Sequence, residues 1–157
     1  MREHYVAVVG PSAGSPAEHV IADEVGQLIA NAGCVLVCGG MGGVMEAAAS
    51  GCIEAGGKTV GILPTETRLE GNPYLTIAVA TGMGEARNAI VIRTADVVIA
   101  INGEYGTLSE IALALKMGKP VVGIGTWELA KDGEPVESIV RARDAADAVA
   151  KAIALIG

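Results

Sequence analysis

Residues 86–110 read ARNAIVIRTADVVIAINGEYGTLSE, and this stretch decides the fold. Its apolar run Val97–Ile101 predicts a strand that enters a Gly-containing turn, and the next helix is predicted to open with Thr107 and to carry Glu110 in its first turn. In a parallel α/β sheet, such a turn places backbone N–H groups and the positive end of a helix dipole at the carboxyl edge. The stretch therefore predicts a site for a phosphate-bearing ligand, flanked in sequence by Arg87 and Glu110.

Short apolar runs alternate with helical periodicity along the chain, which predicts βαβ units and a parallel sheet. We expect one domain over residues 1–157, a doubly wound α/β fold with a mostly parallel sheet in a three-layer sandwich. The predicted strands are Tyr5–Val9, Val35–Cys38, Thr59–Leu63, Leu75–Val79, Val97–Ile101, Val121–Ile124 and an edge strand over 136–142. The predicted helices cover about 16–32, 44–55, 84–94, 107–117 and a last segment capped by Asp144.

Local signals mark some of these boundaries. Ser15 to Glu18 (SPAE) has the residue pattern of a capping box, with proline at the first helical position. The polar stretch from Pro64 to Tyr74 is predicted to be a loop that covers a ligand.

The composition restricts the function classes. The chain has 157 residues, a formal net charge of −7 and no cluster of Lys or Arg, which disfavours a nucleic-acid binder. No apolar run reaches the roughly 18 residues of a membrane span, so we expect a cytoplasmic protein without a membrane partner. Three cysteines make no disulfide framework; Cys34 and Cys38 are expected in the core, and no metal site is predicted.

The first Gly-rich turn follows the second predicted strand. Glycines between a strand and a helix let the backbone approach a ligand and leave N–H groups free, but a tight turn with close packing also requires glycine. Both interpretations remain open for this turn. The candidate ligand-binding residues here are Gly39, Gly40, Gly42, Gly43 and Met45.

The second Gly-rich turn, Asn102–Thr107, adds Gly103, Gly106 and a Thr107 hydroxyl at the expected N-cap. Glu104 opposes an anion site, because a carboxylate beside a phosphate costs Coulomb energy unless it points outward. The spacing Thr107-x-x-Glu110 is itself that of a capping box, which would give Glu110 a structural role instead of a catalytic one.

Arg87 is predicted in the first turn of a helix, where a cation opposes the helix dipole. Its position suggests a partner, which is Glu110, another acid or a ligand phosphate. Ser12, in the turn after the first strand, is a further candidate for an oxygen contact.

The motifs Gly39-Gly40-x-x-Gly43-Val44-Met45, Gly61-Ile62-Leu63-Pro64 and Gly103-x-x-Gly106-Thr107-x-x-Glu110, together with Arg87, resemble the LONELY GUY (LOG) family. That family has a modified Rossmann fold and contains phosphoribohydrolases that release the base from cytokinin riboside 5′-monophosphates. The resemblance implies that Arg87 and Glu110 are the catalytic residues and that the turn from Gly103 to Thr107 holds the 5′-phosphate. This chain has Asn88 where LOG enzymes have lysine.

Further segments resemble the molybdenum cofactor carrier proteins and their short prokaryotic relatives. These segments are Thr81–Asn88, Glu110–Lys116, Lys119–Val122 and Gly125-Thr126. The resemblance implies a homodimer or homotetramer that binds a molybdopterin-type cofactor without turnover, with Asn88 among the ligand contacts. The sequence thus predicts a binding protein for a phosphorylated pterin- or nucleotide-like ligand. The alternative is a nucleoside 5′-monophosphate phosphoribohydrolase that uses Arg87 and Glu110.

Overall fold

The computed structural model describes residues 2–157 and contains five α-helices and nine β-strands. In chain order they are β1 Tyr5–Val9, α1 Pro16–Asn31, β2 Val35–Cys38, α2 Val44–Glu54, β3 Lys58–Leu63, β4 Ile77–Ala80, α3 Arg87–Thr94, β5 Val97–Ile101, α4 Tyr105–Lys116, β6 Val121–Ile124, β7 Leu129–Lys131, β8 Glu134–Val136, β9 Ile139–Ala142 and α5 Ala145–Ile156. Two 3₁₀ helices, Arg68–Glu70 and Gly84–Ala86, precede β4 and α3. No helix within residues 2–157 is long and apolar enough to cross a membrane.

Seven strands form one parallel sheet in the order β4-β3-β2-β1-β5-β6-β9. The chain first builds the sheet outward from β1 to β4, and then returns to place β5 on the other side of β1. Helices α1, α2 and α5 pack on one face of the sheet, while α3 and α4 pack on the other. The predicted doubly wound, three-layer α/β fold is confirmed.

The central strands are buried on both faces, which explains their uninterrupted apolar sequences. Every residue of β2, β5 and β6 is buried. Cys34 and Cys38 lie in the core on the α1 side, as predicted, and Cys52 joins them from α2.

Helices α1 and α2 approach each other closely because glycines lie at their contact. A Cβ atom on Gly26 would collide with the backbone oxygen of Ala48, and one on Gly51 would collide with the backbone oxygen of Asp23. The two helix backbones therefore touch, and no side chain fits between them at these positions.

The predicted start of α1 is confirmed in detail. Ser15 Oγ accepts a hydrogen bond from Glu18 N at 3.2 Å, and Glu18 Oε1 accepts one from Ser15 N at 2.7 Å. Strands β1, β2, β5 and β6 have the predicted bounds.

The predicted start of the helix after β5 is wrong. Helix α4 begins at Tyr105 with Glu104 at the N-cap, so Thr107 is not the N-cap and Thr107-x-x-Glu110 is not a capping box. The reason lies in the turn: Asn102 has φ 48° and Gly103 has φ 110°, so the chain reverses immediately after β5. The helix begins two residues earlier than predicted, and Glu110 lies in its second turn.

Two strand predictions also need correction. The fourth strand is Ile77–Ala80, and Thr76 lies just before it, where its N donates hydrogen bonds to Thr59 O at 3.0 Å and to Thr59 Oγ1 at 2.8 Å. The predicted edge strand over 136–142 divides at residues 137–138. Its first part belongs to β8, which pairs with β7 in a separate antiparallel hairpin, and its second part is β9.

We predict that Gly26→Ala destabilises the fold, because the added methyl group forces the α1 and α2 backbones apart. The free energy of unfolding should fall by at least about 2 kcal/mol in chemical denaturation. Gly106→Ala is the matched control, since Gly106 is also helical and an added Cβ there meets nothing within 4 Å. An equal effect of both substitutions would contradict the close packing of α1 and α2.

Candidate functional site

A cavity of about 540 Å³ opens at the carboxyl edge of the sheet, where the order of the strands reverses. The connections after β1 and β5 leave toward opposite faces at this point, and their divergence opens a crevice between adjacent strands. The walls come from the turn after β1, the ends of β2 and β3, and the first turns of α2, α3 and α4.

Eight of the twelve predicted site residues line this cavity. They are Ser12, Gly39, Met45, Arg87, Asn88, Gly106, Thr107 and Glu110. Pro64, which also lines the cavity, begins the loop predicted to cover a ligand. The other lining residues were not selected as ligand contacts; they are Val8, Val9, Gly10, Pro11, Ala13, Gly84, Glu85 and Glu104. The Gly-Pro turn after β1 carried a usable signal, because the first strand of a doubly wound sheet usually lies at the switch point.

Arg87 occupies the first position of α3 and extends toward the end of β2. Its Nη2 donates a hydrogen bond to the backbone oxygen of Gly39 at 3.4 Å. A Cβ atom on Gly39 would lie 2.6 Å from that nitrogen and 2.8 Å from Met45 Sδ. Gly39 therefore makes room for the guanidinium group, which explains why this position of the first Gly-rich turn has no side chain.

Two polar atoms beside the cavity have no hydrogen-bond partner within residues 2–157. They are Arg87 Nε and Asn88 Oδ1, and both are buried. An unsatisfied buried donor or acceptor costs about 1–3 kcal/mol, and such groups concentrate where a ligand or an ordered water completes the bonding.

Glu110 and Arg87 share this environment. Burial raises the pKa of Glu110 to about 7, while the positive charge of Arg87 acts in the opposite direction. Burial lowers the pKa of Arg87, and Glu110 is the main group that opposes that change. The two side chains feel each other's charge, but they are not among the ion pairs within 4.0 Å that residues 2–157 form.

The start of α4 faces the cavity without a side-chain cap. Glu104 at the N-cap makes no capping hydrogen bond, and Gly106 and Thr107 in the first turn line the cavity. Thr107 is only 3% exposed. Gly103 does not line the cavity; a Cβ there would collide with the Thr107 side chain, so Gly103 allows Thr107 to pack under the turn.

The other glycines of the first Gly-rich turn do not line the cavity. A Cβ on Gly43 would collide with the backbone of Pro11 and Ser12, and Val44 N donates a hydrogen bond to Pro11 O at 3.1 Å. Gly40 has φ +76° and packs against Leu63. The turn after β1 thus covers the start of α2, and close packing accounts for Gly40 and Gly43. At Gly42 an added Cβ would meet only Ser12 O, at an ordinary contact distance of 3.6 Å.

The remaining acids at the cavity are exposed. Glu85 and Glu104 lie at its rim, where water screens their charges. The backbone oxygen of Glu104 accepts a hydrogen bond from Trp127 Nε1 at 3.1 Å. This bond connects the start of α4 to the segment between β6 and β7.

Comparisons with known proteins agree with this architecture. An uncharacterized protein of Archaeoglobus fulgidus is 45% identical over 124 residues, which is 79% of this chain and 82% of that protein. The structure of the molybdenum cofactor binding protein from Rippkaea orientalis matches with a TM-score of 0.89 at 35% identity, covering 100% of this chain and 99% of that one. The molybdenum cofactor carrier protein of Chlamydomonas reinhardtii matches with a TM-score of 0.88 at 36% identity over 99% of each chain.

The predicted similarity to the carrier proteins is confirmed. The model of the SLOG cluster4 family matches residues 3–152. Because this match includes nearly the whole chain, the protein belongs to the SLOG cluster4 family.

Proposed function

We propose that this protein binds a phosphorylated pterin of the molybdenum cofactor type in the cavity between β1 and β5, as a carrier without turnover. The similarity in sequence and structure to proteins described as molybdenum cofactor carriers supports the ligand class. The cavity of about 540 Å³ has a suitable size, since small-molecule sites occupy roughly 300–1,000 Å³.

One observation carries this proposal: Arg87 is partly buried at the cavity and uses little of its hydrogen-bonding capacity. A guanidinium group has five N–H donors, and the structure gives this one a single hydrogen bond, to Gly39 O at 3.4 Å. A cation in such a place is stabilised by an anionic oxygen that accepts several of its donors. A phosphate group supplies such oxygens.

The start of α4 provides the second half of the phosphate site. The first amides of an α-helix have no intrahelical acceptor, and the helix dipole adds positive potential there. Gly106 has no side chain to block these amides, and Ser12 offers a hydroxyl group from the facing turn. The terminal phosphate then lies at the α4 amides, and Asn88 pairs with polar atoms of the ring system.

Glu110 sets the charge balance of the site. With a pKa of about 7 it is neutral in a large fraction of molecules near neutral pH, so it does not cancel the charge of Arg87 in them. A neutral Glu110 tolerates a neighbouring phosphate, whereas an ionised one repels it.

The second candidate function is a nucleoside 5′-monophosphate phosphoribohydrolase, and the placement of Glu110 with Arg87 in one cavity favours it. A carboxyl group with a strongly shifted pKa in a cleft is a frequent mark of a catalytic residue. In this reaction an ionised Glu110 stabilises the positive charge that develops on the ribose, and Arg87 positions the 5′-phosphate.

We predict that Gly106→Asp weakens binding of the cofactor by at least about 10-fold, because it places a carboxylate at the phosphate site. Binding is measured anaerobically with molybdopterin-type cofactor, and the retained pterin is quantified by fluorescence. The fold should tolerate the change, since an acidic residue in the first turn of a helix is favourable by about 0.3–1 kcal/mol.

Gly106→Asn is the matched control, because it has nearly the same shape and no charge. It should retain most of the binding. Equal loss with Asp and Asn would indicate a steric effect, and unchanged binding with Asp would exclude the start of α4 as the phosphate site.

We predict that Glu110→Gln changes the pH dependence of stability. A carboxyl group whose pKa is higher in the folded protein binds more protons when folded, so its contribution to stability falls as pH rises from the ordinary 4.5 to about 7. Variant and wild type should be equally stable at about pH 4, and at about pH 8 the variant should be more stable by up to about 3 kcal/mol. A stability difference that does not vary with pH would contradict a buried, titrating Glu110.

Incubation with AMP and with isopentenyl-AMP separates the two candidate functions. A carrier should release no free base, even at high protein concentration over a long incubation, as followed by chromatography. Release that disappears in Glu110→Gln would instead establish the hydrolase, and release that persists in this variant would indicate a contaminating enzyme.

A further inference from the structure

The turn from Asn102 to Glu104, which we call the β5 turn, decides where the first amides of α4 point. Asn102 has φ 48°, a left-handed conformation that residues other than glycine rarely adopt. Such a conformation is unfavourable by itself and persists where surrounding contacts hold it. The Glu104 side chain makes no capping hydrogen bond, so the turn is not fixed by its own helix cap. Contacts from other elements therefore hold the β5 turn.

Two side chains that follow β6 bind the two ends of the β5 turn. Thr126 Oγ1 donates a hydrogen bond to the backbone oxygen of Asn102 at 2.6 Å. Trp127 Nε1 donates one to the backbone oxygen of Glu104 at 3.1 Å. We call Thr126 and Trp127 the clamp. The backbone continues the contact, since Asn102 N donates a hydrogen bond to Ile124 O at 2.9 Å.

The clamp residues are themselves positioned by their neighbours. A Cβ atom on Gly123 would collide with Thr126 Cγ2, so the lack of a side chain at Gly123 makes room for Thr126. The Trp127 ring lies beside the Tyr105 ring, with 5.7 Å between the ring centroids and 31° between the planes. These contacts direct both donors toward the backbone of the β5 turn.

The clamp lies outside the ligand cavity between β1 and β5. Neither Thr126 nor Trp127 lines this cavity, whereas Glu104, Gly106 and Thr107 do. The clamp therefore acts on the backbone that carries the cavity wall, and it does not touch the space for the ligand. Because an N–H···O hydrogen bond needs about 2.7–3.2 Å between its heavy atoms, a small shift of the β5 turn changes how well the α4 amides reach a phosphate.

We propose that Thr126 and Trp127 are positioning residues, which hold the β5 turn so that the first amides of α4 point into the ligand cavity. This inference rests on the proposed function for its ligand, but the hold on the turn can be measured without a ligand. Leu108 N donates a hydrogen bond to Glu104 O at 3.0 Å, the same oxygen that Trp127 binds. Hydrogen exchange of the Leu108 amide therefore reports how firmly the turn is held.

The test combines Thr126→Val and Trp127→Phe in one clamp variant, which removes both donors and keeps a branched side chain and an aromatic ring. Affinity for the molybdopterin-type cofactor should fall by at least about 5-fold, because each lost hydrogen bond is worth roughly 2- to 10-fold. In the protein without ligand, the Leu108 amide should exchange faster by NMR, while the amides of β1 exchange as in the wild type.

Two single substitutions serve as controls for the clamp variant. Thr126→Ser keeps the hydroxyl group and should keep the wild-type affinity. Thr94→Val removes a threonine hydroxyl that donates a hydrogen bond to Ile90 O at 2.7 Å, and neither Thr94 nor Ile90 lines the cavity. Thr94→Val should therefore leave both the affinity and the Leu108 exchange unchanged.

A double-mutant cycle with Gly106→Asp shows whether the clamp acts through the phosphate site. In the Gly106→Asp background the clamp substitutions should cause little further loss, because the phosphate contact that they support is already lost. An equal loss in both backgrounds, an unchanged affinity, or an unchanged Leu108 exchange would each overturn the proposal. If the wild type binds no cofactor, the proposed function fails, and the Leu108 exchange still decides whether the clamp holds the turn.

Discussion

A parallel sheet needs cover on both faces, and this requirement organises the molecule. The chain meets it by winding outward from β1 to β4 and then from β5 to β9, so that helices accumulate on both faces. The change of direction between β1 and β5 opens the crevice that holds the candidate site. At β4 the same requirement is not met within residues 2–157, and three of the four residues of this strand are exposed.

The sequence predicts the fold correctly wherever the apolar pattern of a segment matches its burial in the sheet. Uninterrupted apolar runs define β1, β2, β5 and β6, because strands buried on both faces need apolar side chains at every position. The start of α4 was mispredicted because Thr107 and Glu110 satisfy the capping-box spacing, while the actual N-cap residue makes no capping bond. Backbone reversal at Asn102 and Gly103 decides this boundary, and residue spacing does not report such dihedral angles.

Most of the residues that meet at the site could be predicted from the sequence, but the structural role of each glycine could not. Arg87, Glu110 and Thr107 come together because parallel strands deliver the following residues to one edge of the sheet. Gly39 and Gly43 belong to one motif and look equivalent in sequence. In three dimensions, Gly39 makes room for the Arg87 guanidinium, whereas Gly43 allows the turn after β1 to pack on α2. Such roles depend on residues that are distant in sequence.

The protonation state of Glu110 beside Arg87 distinguishes the two candidate functions. When Glu110 is neutral, Arg87 keeps only the weaker influence of exposed carboxylates such as Glu85, and its charge favours a bound phosphate. When Glu110 is ionised, it compensates Arg87 and supplies the negative charge that a cleavage of the N-glycosidic bond requires. A pKa of about 7 keeps both states populated near neutral pH. A ligand that covers the cavity would remove further water from Glu110 and raise its pKa again, so binding without turnover favours the neutral carboxyl group.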